Sequence, residues 1–463
     1  MLHVLKLGAS LLIDDRQMKR SILSIFEGSD VVKRLFVWTC LMTILLCSSC
    51  QSPLPGPVEE GLFSLIANWG KQLEKTTDHE EGIFIYPTSE GGFITLIQTE
   101  NEQEQRLPTT NVKVCKLDAN GDMDWSDSPP LTDHSIRTGV FVLPNPFSSN
   151  PEYLVGVQKT DLIRQETNIE LFYYDEDGTE RWHQEYLANG QDFLTGALFV
   201  SENAVMVYGR TDSTDGLFFG KIQTTGYDGF VVPVNTADGQ PENSITYDYQ
   251  ESDNGIKRIY TTIDSPELFF VGEANNTAGV QKIWMMRVYH FMPTFKSQTL
   301  FAHDDDINYY FGGMCRIGPD QFVMACTKEI NDEEQVAFYK FNSDASNELM
   351  AVEILNEHEV NNLILGDDKE RSIGISHFVS DNSLIAGVKA QNDAVSLNRF
   401  YLINTDQFEV REQNYRYRND VIYNHLSKRG DQQLYGLTGW VPSQDAAEDK
   451  RTAGGRACWV EGL

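Results

Sequence analysis

A short apolar segment recurs seven times along this chain, and that recurrence limits the folds open to it more than any other feature. The copies occupy residues 92–99, 152–159, 203–210, 267–274, 321–328, 382–389 and 433–439, and most carry Gly or Ala near their end. A continuous apolar run of this length reads as a strand buried on both faces, and a small residue in it permits close approach of a neighbour. From Phe93 to Leu434 the repeat covers 341 residues in six intervals, about 57 each. A period of that size points to a propeller or an array.

Each copy is followed by a second element. Residues 112–117 lead through Asp118, Ala119, Asn120 and Gly121 to Trp125; residues 169–174 lead through Asp175, Glu176, Asp177 and Gly178 to Trp182. Strand, tight Asn-Gly or Asp-Gly turn, strand is a hairpin signal. Weaker copies are expected at 217–222 with Gly226, at 283–289, at 336–341 with a turn at 342–344, and at 399–403 with a turn at 404–406. The seventh copy is split. Residues 456–460 supply a third strand near the end of the sequence, and residues 65–73, containing Trp69, resemble the strand that carries Trp125 and Trp182. The predicted fold class is therefore all-β: a seven-bladed β-propeller closed by pairing of N- and C-terminal strands, which removes exposed sheet edges. A series of two-sheet sandwiches is the competing architecture. Residues 228–253 have few apolar periodic positions and are expected to form a long loop between blades.

Upstream lies an export pattern. Lys33 and Arg34 precede an apolar run from Leu35 to Leu46, then Cys47, Ser48, Ser49 and Cys50. A basic flank, a short apolar core and small residues before a cleavage point form a secretory signal; twelve apolar residues are too few to span a bilayer comfortably. The expected organisation is a mis-annotated extension at 1–31, a lipoprotein signal at 32–49, a Pro-containing tether at 50–60 and the propeller at 61–463.

Charge excludes further classes. With 37 Lys and Arg against 68 Asp and Glu, the net charge is −31. Duplex nucleic acid needs a basic face, and anionic lipid a polybasic patch. A hydrophobic content of 41% supports a large core rather than a disordered chain. Beyond Cys50 the cysteines fall singly, so neither a zinc ribbon nor a paired redox motif is supported. Cys315 and Cys326 lie close enough in sequence to face each other across a hairpin.

The unit running from Lys116 through Asp118 and Gly121 to Trp125, and its copy from Tyr174 through Gly178 to Trp182, resemble the KLD-x-x-G-x-x-x-W repeat of secreted bacterial propellers. Leu46 to Cys50 resembles a bacterial lipobox, in which the Cys50 thiol is acylated. Together they resemble Bacteroidota-type lipoproteins with a seven-bladed propeller. The repeat is also distantly similar to the tryptophan-docking repeat of quinoprotein-like dehydrogenases and of a propeller lipoprotein in outer-membrane assembly. The resemblance implies a lipid-anchored propeller in the bacterial cell envelope, at the outer membrane.

Three sets of side chains are candidates for chemistry. Trp69, Trp125 and Trp182, at the start of fourth strands, offer either a ligand platform or packing between blades, and packing is expected because of their large aromatic area. Asp118, Asn120, Asp122 and Asp124 alternate as hard oxygen ligands would around calcium, but Gly121 falls at the fourth place and no bidentate Glu follows, so a solvated turn is expected. His303, Asp304, Asp305 and Asp306 form the densest acidic cluster, which suits a divalent cation or simply an exposed loop. His358 and Glu359 lack the second His of a zinc protease, since position 362 is Asn. No serine elbow or phosphate loop occurs.

The expected function is a non-enzymatic, membrane-anchored scaffold whose loops bind an envelope protein or a glycan, with no cofactor and no nucleic acid. The alternatives are a carbohydrate-active or quinone-linked enzyme with a site in the central channel, and a subunit of an envelope assembly complex. An acidic channel mouth rich in Tyr or Trp would favour the enzyme, and a partly apolar loop face the binder.

Overall fold

In the computed structural model, residues 64–463 form one compact unit. The structure describes residues 69–73 and 79–462, apart from 102–108, 132–134, 219–225, 251, 262–266, 290–294, 302–305, 319, 332, 345–350, 361–368, 379–382, 392–395, 414–421, 429–434 and 443–455. The export pattern, with Cys50, lies outside these residues, as do His303, Asp304 and Asp305.

Seven four-stranded antiparallel sheets account for the described strands. The first described strand is β1 (Trp69–Gln72). The first sheet holds β2 (His79–Pro87), β3 (Phe93–Asn101), β4 (Thr109–Leu117) and β5 (Met123–Asp127). The second holds β6 (Ser135–Pro144), β7 (Tyr153–Asp161), β8 (Glu166–Tyr174) and β9 (Glu180–Tyr186). The third holds β10 (Asp192–Ser201), β11 (Ala204–Thr211), β12 (Asp228–Asn235) and β13 (Ile245–Tyr247). The fourth holds β14 (Asn254–Thr261), β15 (Glu267–Asn275), β16 (Gln281–Tyr289) and β17 (Phe295–Phe301). The fifth holds β18 (Asn308–Arg316), β19 (Gln321–Ile330), β20 (Glu333–Asp344) and β21 (Ala351–Glu359). The sixth holds β22 (Lys369–Phe378), β23 (Ser383–Gln391), β24 (Ser396–Asn404) and β25 (Glu409–Gln413). The seventh orders β26 (Ile422–Lys428), β27 (Tyr435–Pro442) and β28 (Arg456–Gly462) with β1, whose Trp69 pairs with Gly462 and Gln72 with Trp459.

The seven apolar copies are the second strands of the seven sheets. A second strand has a partner on each side and a sheet against each face, which is why its sequence is apolar without alternation. The core accordingly lies between sheets. Val114 and Tyr153 meet between the first and second, Tyr173 and Phe230 between the second and third, and Met206 and Trp284 between the third and fourth. Leu73 and Val460 of the closing end pack with Ile85 and Phe93 of the first sheet. Each sheet touches the next along the chain, and β26, β27 and β28 touch β2.

Every first strand carries one extra residue against its second strand. The shared skipped positions are Ile83, Val140, Thr195, Lys257, Gly312, Ile373 and Asn424, and β10 skips a second residue, Val200, near its end. A bulge bends and twists its strand locally and re-aims the residues around it. It also pinches the partner strand: a Cβ on Gly209 or Gly272, opposite the pre-bulge residues Leu194 and Ile256, would collide with the first strand's carbonyl oxygens at Phe193 and Gly255.

Three sequence expectations are corrected. Residues 228–253 are not a plain loop, because Asp228–Asn235 is the buried third strand of its sheet and Ile245–Tyr247 the fourth. Pro233 stands inside that strand. It is tolerated because the short β13 pairs only with residues 229–231, so the missing N–H falls where the fourth strand has ended. The segment expected as that third strand contains instead the 3₁₀ turn Gly216–Phe218, and its remainder lies outside the described residues. The turn expected at 342–344 is strand, with Asn342 paired to Glu353 and Asp344 to Ala351. Cys315 and Cys326 are free thiols; their register partners are Val323 and Phe311, so the hairpin does not oppose them.

Candidate functional site

The repeat motif builds joints between sheets. Trp125, on β5, donates its indole Nε1–H to the Glu176 carbonyl at 2.9 Å, in the β8–β9 turn of the following sheet. Trp182, on β9, repeats the contact one sheet on, donating to the Thr236 carbonyl at 2.7 Å in the β12–β13 connection. It also stacks on Tyr173 with ring centroids 5.3 Å apart. Both indoles are thus engaged with the neighbouring sheet. Trp69 begins β1, the strand equivalent to β5 and β9.

The acidic turns are built by their own backbone. The Asp118 carboxylate accepts the N–H groups of Asn120 and Asp122, both at 2.8 Å, and Gly121 follows with φ 77°. Asp175 accepts from Asp177 and Thr179 in the same way, with Gly178 at φ 80°. A neutral residue makes the same turn: Asn276 accepts from Ala278 and Val280, with Gly279 at φ 79°. The turn therefore needs a side-chain oxygen, not a charge or a cation. Asp306 is exposed just before β18.

Two polar clusters were not legible in the sequence. In the second sheet, Arg137 grips the wholly buried Glu170 with both fork nitrogens, Nε at 2.6 Å and Nη2 at 2.7 Å. His183 Nε2 lies 2.6 Å from the same carboxylate, and its ring stacks on Phe172 at 4.4 Å. Burial alone would raise the Glu170 pKa, but the His183 and Arg137 hydrogen bonds and charges outweigh it and hold the carboxyl below its ordinary value. This cluster ties the first, third and fourth strands of one sheet together. In the third sheet, Asp192, Thr211 and Asp228 form a buried row across three strands, with Thr211 donating to Asp192 at 2.5 Å. Burial pushes the Asp192 carboxyl up to about 6; Thr211 and Ser213 oppose this, and Asp212 and Asp215 add to it.

The remaining candidate is formed by the inner strands. The residues just after the seven bulges are Phe84, Phe141, Gly196, Arg258, Gly313, Gly374 and His425. Arg258 is exposed although its strand is otherwise largely buried. Its guanidinium lies 5.9 Å from the Tyr260 ring centroid, and the Tyr260 hydroxyl donates to the Met314 carbonyl of the fifth sheet at 2.9 Å. Surrounding protein is nonetheless the largest influence on Arg258, and Tyr260, Tyr208, Tyr86 and Cys315 all lie within its electrostatic reach. Those residues come from the first, third, fourth and fifth sheets. Arg258 is thus open to solvent yet within electrostatic reach of residues from sheets that are not all consecutive in the chain. The one local signal was the Lys257-Arg258 pair, basic residues in the first strand of an acidic chain.

No protein-family model matches the chain, and no curated protein is significantly similar to it. Among solved structures it is similar to the β-propeller domain of the Trilobed protease from Pyrococcus furiosus, at 6% identity and a TM-score of 0.43, covering 86% of this chain and 94% of that one. The seven consecutive four-stranded antiparallel sheets are by themselves a propeller-like arrangement. A prolyl endopeptidase is similar at 12% identity and a TM-score of 0.41 over 78% of this chain, which spans only 45% of that protein. An apocarotenoid oxygenase mutant from Synechocystis is similar at 10% identity and a TM-score of 0.39, covering 72% of this chain and 71% of that one.

Proposed function

We propose that this chain is an exported, lipid-anchored scaffold in the bacterial cell envelope. In this reading residues 61–463 are a seven-bladed propeller closed through β1 and β28, and one end of its sheets binds an envelope protein or a glycan without catalysis. The observation that carries the binding role is the placement of exposed apolar side chains. Leu162 and Ile163 occupy a turn between second and third strands, Ile330 ends a second strand at the equivalent turn, and Leu187 follows a fourth strand. In an antiparallel sheet these positions share one end. Ile163 is 71% and Leu187 61% exposed, an arrangement that suits association more than solvation. Such turns are held by a rigid scaffold and are free to vary, as binding loops are.

Site-specific photo-crosslinking tests the reading. A crosslinker at Ile163 or Leu187 is expected to capture one envelope component, and a crosslinker at Phe147, on a turn at the opposite end, is not. Equal capture from both ends, or a purified glycan bound undiminished by Ile163→Asp, argues against this face.

A second reading, an enzyme working from the central passage, has Arg258 and its tyrosines in its favour. Turnover of a carbohydrate or a quinone-linked substrate, lost on substitution of Arg258, would select it.

A further inference from the structure

We infer that the central passage is a binding site for a small, singly charged carboxylate, gripped by Arg258 and framed by Tyr86, Tyr208 and Tyr260. The inference rests on the inner strands alone and not on lipid anchoring or on a partner at the outer turns.

Arg258, like Arg210, faces aromatic rings rather than a carboxylate; of the two, Arg258 is the one on a first strand with tyrosines of other sheets in its electrostatic reach. Acidic residues outnumber basic ones by 68 to 37, and the guanidinium groups of Arg137, Arg181, Arg287, Arg399 and Arg411 each have a carboxylate within reach. Arg258 makes no ion pair among the described residues; its partner there is the face of Tyr260. A guanidinium that is partly stripped of water and left without an anion is costly, and a bidentate carboxylate is the group its planar fork matches best.

The surroundings fit that occupant. Two equivalent post-bulge positions on the flanking first strands, Gly196 and Gly313, carry no side chain. The Tyr208 hydroxyl reaches over Gly196, where a Cβ would come within 2.5 Å of it. Tyr260 is fixed by its bond to Met314, so its ring is held as a flat wall beside the guanidinium. A phenol can donate to a carboxylate oxygen, and an aromatic face can cover the apolar side of a ring.

Charge separates a carboxylate from a phosphate. One guanidinium neutralises one negative charge. A phosphate dianion would leave a second charge uncompensated inside a protein of net charge −31, where the low local dielectric makes that repulsion expensive.

Calorimetric titration of the full chain tests this with four probes: glucuronate, benzoate, glucose and glucose 6-phosphate. Saturable binding of glucuronate or benzoate is expected, with the stronger of the two showing whether the passage favours a sugar acid or an aromatic acid. Glucose should not bind, and glucose 6-phosphate should bind more weakly. Arg258→Gln should weaken the carboxylate about tenfold or more, and Arg258→Lys, which keeps the charge but loses the fork, by less. Melting curves without ligand check that both variants fold. Should a variant not fold, chloride competition against the wild-type complex replaces it, with carboxylate affinity expected to fall as chloride rises. Binding of glucose equal to glucuronate, tighter binding of glucose 6-phosphate, carboxylate binding undiminished by Arg258→Gln or by chloride, or no binding of either carboxylate overturns the inference. The crosslinking result at the outer turns is independent of all these outcomes.

Discussion

The indole of Trp125 rests on the backbone of Gly178 in the next sheet, so closely that a methyl group added there would sit 2.5 Å from Trp125 Cδ2. Gly178 is also at φ 80°, where an L side chain is strained. Gly178→Ala is therefore expected to destabilise the protein by about 2 kcal/mol or more, from overpacking and backbone strain together. Urea denaturation measures this, and an unchanged midpoint would contradict the joint.

Glu170 sets an acid limit on stability. Its folded pKa lies below its unfolded one, so the unfolded chain binds the proton more readily. The stabilisation it contributes is complete above the unfolded value, about 4.3, and is lost as pH falls through the folded value. Removing Arg137 strands the buried carboxylate, and Arg137→Met is expected to cost about 3–5 kcal/mol near neutrality. Arg137→Met with Glu170→Leu should recover part of that loss. A double variant no more stable than the single one refutes the pairing.

Asp192 has the opposite sign. With a folded pKa of about 6 and an unfolded one of about 3.9, the neutral acid suits its buried site. Its stabilisation is complete below the unfolded value and is lost as pH rises through about 6. Asp192→Asn should stabilise by at most on the order of 2 kcal/mol above neutrality, and hardly at all near pH 4. Thermal melting across that range checks it; a benefit independent of pH would assign the effect to something other than titration.

Strand β1 completes the seventh sheet by pairing with β28. Deleting residues 61–75 removes β1 and Leu73, which packs against the first sheet, so the whole unit should lose about 3 kcal/mol or more in a single transition. Loss confined to a minor early transition would mean that β1 is peripheral.

The anchor is tested apart from the fold. Cys50→Ala should move the protein from the membrane fraction to the soluble one, since a thiol is the acyl acceptor. Retention in membranes would refute acylation at Cys50.

Strand periodicity and turn chemistry are local properties, and they were readable from the chain alone. An apolar run flanked by Asp-Gly or Asn-Gly turns can do little but form a strand and hairpin, which is why the seven second strands and the 118–121 and 175–178 turns stand where their residues place them. The third strand at 228–235 contains Pro233, which a sheet tolerates only where no neighbour needs its N–H, and that depends on how far β13 extends. The net charge was equally plain, being a matter of composition.

Other features arise only when distant segments meet. Arg137 and Glu170 are 33 residues apart and face each other only because β6 and β8 flank β7. The tyrosines and the cysteine around Arg258 come from four sheets, and no local pattern announces their convergence on one arginine. Residue types specify which strands form. Which side chains share a buried or half-wet space depends on the order in which the sheets stack, because electrostatics and packing act through distance in space rather than along the chain.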